Sequence, residues 1–201
     1  MKKSEKTEIT VSKITGVAMN EFGTNGYIGG TINNICKSGI NKGLIYHNFT
    51  GKDGLYLFCL KKSCDTFTEY IRKKGGEESL EKYMSVRMEF FKAFPNEAHI
   101  FFEALLMPQS HLSEEISEAL DSFNKLNESI YKKTVDTLIL RKGITKDDAI
   151  SYFRLMQTMF NGYFSSPLYR SVELGKRVKI HEENVMKLFD FMLYGIAEER
   201  E

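Results

Sequence analysis

The sequence predicts an all-α protein, and three observations carry the prediction. Only 3 prolines interrupt 201 residues, while Leu, Met, Phe, Lys and Glu, which suit long helices, are abundant. In successive stretches the apolar residues recur three and four apart, the spacing of one helical face. No stretch reads convincingly as a strand.

The elements follow in order. Val11, Ile14, Ala18 and Phe22 form one apolar stripe. The helix they define should end near Gly23-Thr24-Asn25-Gly26, since glycine and asparagine accept the left-handed conformation of a helix terminus. Thr31 can cap a second short helix carrying Ile32, Ile35 and Cys36, and Gly39 breaks it. Asn41 can cap a third, from about Lys42 to Asn48, with Ile45 and Phe49 inward. A fourth, longer helix starts around Gly51-Lys52-Asp53 and runs to about Lys74, stopped by Gly75-Gly76. Five more helices are expected over roughly 78–94, 96–107, 112–141, 146–164 and 181–197. Thr145 and Asp148 have the spacing of a capping box. Ser165-Ser166-Pro167 ends the 146–164 helix, because proline disfavours helical geometry just before it. Residues 165–180 read as a connector with room for one helical turn.

Composition bounds the function. Apolar residues at 42% and charged residues at 27% describe an ordinary soluble chain. No apolar run approaches the roughly 20 residues that cross a bilayer, and the charged N-terminus lacks the apolar segment of a signal peptide. The expectation is a cytoplasmic protein with no membrane association. Cys36, Cys59 and Cys64 show no CxxC pairing or metal-ligand spacing and read as free thiols. The net charge of +1 conceals an asymmetry: residues 1–74 hold 12 Lys and Arg against 6 Asp and Glu, and the remainder hold 16 against 21. A basic N-terminal third on an acidic remainder suggests an anionic partner at one end.

The two short helices joined by Ser38-Gly39-Ile40-Asn41 make a helix-turn-helix, in which glycine supplies the tight turn. The second helix of such a motif lies in the major groove. The longer run is more specific. Ile14, Val17-Ala18, Phe22, Gly26-Tyr27, Thr31-Ile32, Ile35, Gly39-Ile40, Gly43, Ile45-Tyr46, Phe49, Lys52 and Leu55-Tyr56 resemble, in order and spacing, the N-terminal signature of the tetracycline-repressor (TetR) family of transcriptional regulators. The resemblance covers about residues 9–57 without a gap.

That resemblance implies an all-α homodimer. A helix-turn-helix DNA-binding domain of three helices over residues 1–51 would precede a helical ligand-binding and dimerisation domain over 52–201. It places Lys42, Gly43, Leu44, Tyr46 and His47 on the groove-facing side of the recognition helix. Lys42 suits a phosphate or a guanine edge. Tyr46 and Thr31 suit phosphate oxygens, and Lys52 resembles the family's backbone-contacting lysine. Leu44 stands where threonine or serine is usual, and there it predicts a preference for A·T through a thymine methyl. Asn48, Gly51 and Cys36 also depart from the usual histidine, serine and alanine.

The remaining two-thirds carries no signature. Ala149, Phe153, Met156, Phe160 and Tyr163-Phe164 form one broad apolar stripe, and Val185, Leu188-Phe189, Met192-Leu193 and Ile196 another. Intramolecular core is one reading. The resemblance favours a four-helix dimer interface including Phe153, Phe160, Phe164, Val185, Phe189, Met192 and Ile196. Methionine and aromatic residues are dense over 84–107, where some could line an apolar pocket. Candidate pocket residues are Cys64, Phe67, Phe91, Phe102, Tyr131, Met156 and Phe160.

The function expected is therefore a regulator, a repressor released from double-stranded operator DNA by a small apolar or aromatic effector of unknown identity. Control by a protein partner, or activation instead of repression, stays open. An enzyme is not expected: the four histidines are scattered, no HExxH, GxSxG or phosphate-binding glycine loop occurs, and no metal or cofactor is implied.

Overall fold

Capping side chains and close approaches between helices set the element boundaries. The computed structural model describes residues 3–194. Within them all the regular structure is helical, and no strand occurs among the described residues. Helix α1 (Lys3–Gly29) is broken within the Gly23-Thr24-Asn25-Gly26 cluster where its end is expected, and a last turn follows the break. The break is a kink at Gly26, whose φ of 65° and ψ of −176° are non-helical. Gly23 serves a close approach instead: a Cβ there would sit 2.4 Å from the Asn96 Cβ.

Helices α2 (Ile32–Lys37) and α3 (Lys42–Asn48) are capped as expected. The Thr31 hydroxyl accepts from the Asn34 N–H at 3.1 Å, and Asn41 Oδ1 accepts from the Gly43 N–H at 2.8 Å. Gly39 turns between them with φ 86°. Helix α4 (Gly51–Lys73) buries Leu55, Leu60, Phe67 and Ile71 along one face. Helices α5 (Leu80–Ala93) and α6 (Pro95–Leu106) follow, α6 opening with proline in its first turn, where its missing N–H has no helical partner to lose.

Two boundaries differ from the periodicity. The expected helix over 112–141 is a 3-10 turn (Ser110–Leu112), then α7 (Ser113–Ala119) and α8 (Asp121–Asp136), jointed at Leu120. Leu112, Ile116 and Leu120 are all buried, and α7 and α8 both pack on α4. Packing on one helix by two short segments overrides an apolar pattern that runs through the joint. Helix α9 (Lys146–Ser165) begins with the Thr145–Asp148 capping box. Helix α10 (Leu174–Tyr194) then starts inside the stretch read as a connector. Its first turn is fixed by Arg177, a buried cation that donates to the carbonyls of Leu106 at 2.9 Å, Val172 at 3.2 Å and Tyr169. The charge lies at the C-terminus of α6, where the helix dipole favours it.

The core is aromatic. Phe67, Phe90, Phe91, Phe101, Phe102 and Phe123 touch in edge-on and offset-stacked pairs with centroids 4.6–6.2 Å apart. Helix α6 runs through the centre and packs against α1, α4, α5, α9 and α10.

Candidate DNA-binding face and sensing cavity

Helix α3 hangs from one side chain. Ile45 is fully buried, with Ile35 of α2 and Phe49 beside it. Because one face of so short a helix is anchored, Lys42, Gly43, Leu44, Tyr46 and His47 all stand exposed on the other side. Tyr46 is 57% exposed and Leu44 43%, which decides against either as a packing residue. Lys42 makes only a long 3.4 Å contact with Asn33 Oδ1.

The base of this face has an acidic residue that the sequence did not signal. Glu21 Oε1 accepts from the Thr31 N–H at 3.0 Å and from Asn34 Nδ2 at 2.9 Å. It thus occupies the Thr31 N–H at the N-terminus of α2, while the Thr31 hydroxyl caps the Asn34 N–H. Lys52 is half-buried, its Nζ lying 4.3 Å from the centre of the Tyr27 ring. The Tyr27 hydroxyl donates to Asp53 Oδ1 at 2.6 Å and meets His111 Nε2 at 3.1 Å. Burial, with the Asp53 carboxylate as acceptor, pushes the Tyr27 hydroxyl up to about 12.

Behind Tyr27, α1 and α4 are tied to α6. Glu103 of α6 is buried, and the Tyr27 N–H points between its two carboxylate oxygens, 2.8 Å from each. The Tyr56 hydroxyl of α4 donates to Glu103 Oε2 at 3.1 Å. The kink in α1 is what exposes that amide. Gly26 takes the positive φ there, and a Cβ on it would lie 2.5 Å from Glu103 Oε1. Burial raises the Glu103 carboxyl above the usual range, against the Tyr27 and Tyr56 donors that favour its ionised form.

At the far end of α6, a cavity of about 30 Å3 lies among α5, α8, α9 and α10, room for a water molecule or two. Met84, Phe160, Leu188 and Met192 form apolar wall, and Tyr83, Arg87, Asn127 and His181 form polar wall. Arg87 grips Glu182 with two hydrogen bonds of 2.8 Å, both side chains almost wholly buried. His181 Nδ1 lies 2.9 Å from Glu182 Oε1. Burial lowers the His181 ring below its ordinary value. Burial alone would raise the Glu182 carboxyl, but Arg87 outweighs it and holds the carboxyl well below the usual range.

Of the seven residues suggested for a pocket, Tyr131 and Phe160 line this cavity. Cys64 is buried in the core and does not line it, Phe67, Phe91 and Phe102 lie one layer back, packed against Arg87 of the wall, and Met156 is half-buried on α9. Tyr83, Arg87, Asn127 and His181 leave no mark in an apolar pattern, which picks out only the apolar part of the wall.

The apolar stripes of α9 and α10 are also divided differently from the expectation. Phe153, Phe164, Val185 and Phe189 are at most 9% exposed and serve the subunit's own core, with Phe160 and Met192 half-buried at the cavity. Ile196 lies outside the described residues. The outward face is instead Tyr152, Leu155, Met159 and Tyr163 of α9, with Phe191 and Tyr194 of α10, all 46–71% exposed. A helix with apolar residues all round has two apolar surfaces, and the pattern alone does not say which faces in.

Cys59 and Cys64 are buried free thiols, each pushed up to about 12 by burial, and Cys36 is half-buried. Among the described residues no group of His, Cys, Asp and Glu could hold a metal ion, and no helix is long and apolar enough to cross a membrane.

The chain matches two family models. Residues 14–58 match the bacterial regulatory proteins of the tetR family, and residues 74–188 match the tetracyclin repressor-like C-terminal domain. The chain belongs to the TetR family. Solved TetR-like structures share its fold. The fatty acid degradation regulator FadR of Bacillus halodurans is 18% identical with a TM-score of 0.64, the alignment covering 92% of this chain and 99% of that one. FadR of Bacillus subtilis, solved with stearoyl-CoA, is also 18% identical, with a TM-score of 0.65 over 92% and 99%. A tetR-family transcription regulator from Shewanella sp. PV-4 is 15% identical with a TM-score of 0.59 over 94% and 99%. A search of curated protein sequences found no match. As a TetR-family member the chain is a DNA-binding transcription regulator with a C-terminal helical domain.

Proposed function

We propose that this TetR-family regulator is a cytoplasmic repressor that grips double-stranded operator DNA as a homodimer and is released by a small, largely apolar or aromatic molecule. The observation that carries the reading is α3, anchored by Ile45 alone and exposing Lys42, Leu44, Tyr46 and His47 together. In this reading residues 1–51 form the DNA-binding domain and 52–201 the sensing domain. Lys42, Tyr46, Thr31 and Lys52 contact phosphates or base edges, Gly43 and His47 lie against the groove, and Leu44 touches a thymine methyl. The exposed apolar face of α9 and α10 suits a second subunit, which a two-fold operator needs to place two recognition helices about one turn apart.

Release requires the ligand to favour the arrangement that DNA does not. Helix α6 supports such coupling, because Arg177 and the cavity hold one end while Glu103 holds α1 and α4 near the other. The B. subtilis FadR structure contains an apolar-tailed ligand, which supports an apolar effector in kind. A 30 Å3 cavity suits a much smaller molecule than stearoyl-CoA. The filled aromatic core favours, as a second reading, control by a protein partner docking on the surface.

Selection of bound sequences from a random DNA pool gives the operator, and fluorescence anisotropy on that operator then tests release. A two-fold symmetric site bound with a steep salt dependence is the expected result. A bound small molecule that left operator affinity unchanged would refute ligand release and favour the partner reading.

A further inference from the structure

The polar wall of the cavity is a one-way chain of hydrogen bonds. Arg87 Nη1 donates to the Tyr83 hydroxyl at 3.2 Å, and that hydroxyl donates to Asn127 Oδ1 at 2.8 Å. Since the Tyr83 oxygen already accepts from a cation, its proton must go onward to an acceptor. That requirement fixes the Asn127 amide with Oδ1 toward Tyr83, which leaves Nδ2 as the unmatched group of a side chain that lines the cavity. Asn127 is 97% buried, 3% exposed, and no described protein group accepts from Nδ2. A buried donor left unmatched is costly, and a chain that begins on a guanidinium polarises its last N–H.

Charge is already balanced in this wall. Arg87 is held bidentate by Glu182, and its guanidinium lies 4.9–6.0 Å from the ring centres of Phe67, Tyr83, Phe91, Phe102 and Phe123. It is packed on several sides and has its counter-ion. An anion entering the cavity would have to displace Glu182, and a cation would meet Arg87 with no free carboxylate to answer it. The other polar side chains of the wall pair with one another, Tyr131 with Gln157 at 2.6 Å and His181 with Asn161 at 3.0 Å, and the remainder is apolar, with Met84 and Met192 able to change shape.

We propose that the molecule this cavity accepts is uncharged and brings one hydrogen-bond acceptor, a carbonyl oxygen on a compact apolar body, to Asn127 Nδ2. The proposal rests on the reading of the C-terminal domain as a small-molecule sensor and narrows its ligand class. A benzene-sized guest needs roughly 150 Å3, so occupancy moves Met84 and Met192 and parts α8 from α10, while the Arg87–Glu182 pair keeps α5 on α10. That displacement acts on the helix whose Arg177 holds the end of α6.

Four near-isosteric probes separate the possibilities: acetophenone, cumene, benzoate and benzamidinium. Binding to the full chain is measured by calorimetry and by the shift of the thermal midpoint at pH 7.5. Acetophenone is expected to bind about tenfold tighter than cumene and at least about tenfold tighter than either ion, one hydrogen bond's worth of discrimination. Asn127→Leu should abolish the advantage of acetophenone over cumene. Tyr83→Phe, which frees the amide to turn, should reduce it and serves if the leucine variant does not fold. Cumene binding as tightly as acetophenone would overturn the acceptor assignment yet leave an apolar sensor standing. Benzoate or benzamidinium binding as tightly would overturn the neutrality of the ligand. If none of the four binds, the proposal for this cavity falls, and the sensor reading is then decided separately by release from the selected operator.

Discussion

Two carboxylates are buried among the described residues, and they solve opposite problems. Glu182, between α10 and α5, faces a guanidinium that grips it with two bonds, and its carboxyl is pulled below the usual range. Glu103, between α6 and the bend of α1, faces a backbone amide and a tyrosine hydroxyl with no cation in hydrogen-bonding contact, and its carboxyl is pushed up. The first site locks by charge and tolerates little change. The second holds by hydrogen bonds that a neutral group could partly replace. Under the proposed release mechanism, the rigid joint lies at the cavity and the softer joint next to α1 and α4.

The largest expected effect tests the rigid joint. Glu182→Gln strands the Arg87 charge in the core and should cost about 3–5 kcal/mol in urea unfolding. Glu103→Gln keeps an acceptor oxygen for Tyr27 and should cost about 1 kcal/mol or less. Equal losses would erase the contrast. Next comes the bend itself. Gly26→Ala forces a positive φ on a residue with a Cβ and drives it toward the Glu103 carboxylate, for about 2 kcal/mol. Gly16→Ala, in open space on the same helix, should instead gain about 0.5–1 kcal/mol.

The pH dependence should divide the sites by sign. Glu182 has a depressed folded value, so its contribution is present above the ordinary 4.5 and is lost as pH falls. The lowered His181 acts in the same direction below 6.5, because the unfolded ring takes up a proton first. Glu103 has a raised folded value, so its folded form holds the proton longer, and stability declines as pH rises from 4.5 through that value. Denaturation midpoints across pH 4 to 8 should therefore show Glu103→Gln removing an alkaline-side decline and leaving the acid-side loss. A variant with an unchanged profile would refute the sign given to Glu103.

The smallest stability effects belong to the exposed face of α3. Lys42→Ala and Tyr46→Ala should stay within about 0.5 kcal/mol of the parent in unfolding while weakening operator binding. Lys52→Ala should lower affinity on all sequences and reduce the salt slope by about one. Parental binding at every salt concentration would remove Lys52 from the phosphate contacts.

The helix-turn-helix was legible because its signals are local: Thr31 and Asn41 bond to amides two or three residues away, and Gly39 needs only its own φ. The same locality exposed the α9 capping box. Leu120 was not legible, since it is apolar like its neighbours and only packing on α4 makes it a joint. The two buried carboxylates were hidden for a further reason. Glu103 meets Tyr27 across 76 positions and Glu182 meets Arg87 across 95, and a charged residue in an apolar stripe reads as the solvent side of a helix. The adjacency of Glu182 and Glu183 held a clue, since neighbours on a helix do not share a face and only one could point inward.

The cysteines of α4 give the molecule a built-in clock. Thiolates are the reactive form, and Cys59 and Cys64 sit on the helix that joins Lys52 to the aromatic core, sealed and held protonated. An alkylating reagent can reach them only when that helix lifts away from its neighbours. Half-buried Cys36 lies on α2, outside that seal, and supplies a second rate from the same polypeptide. The ratio of the two labelling rates, followed with and without operator, converts the opening of one helix into a mass-spectrometric time course.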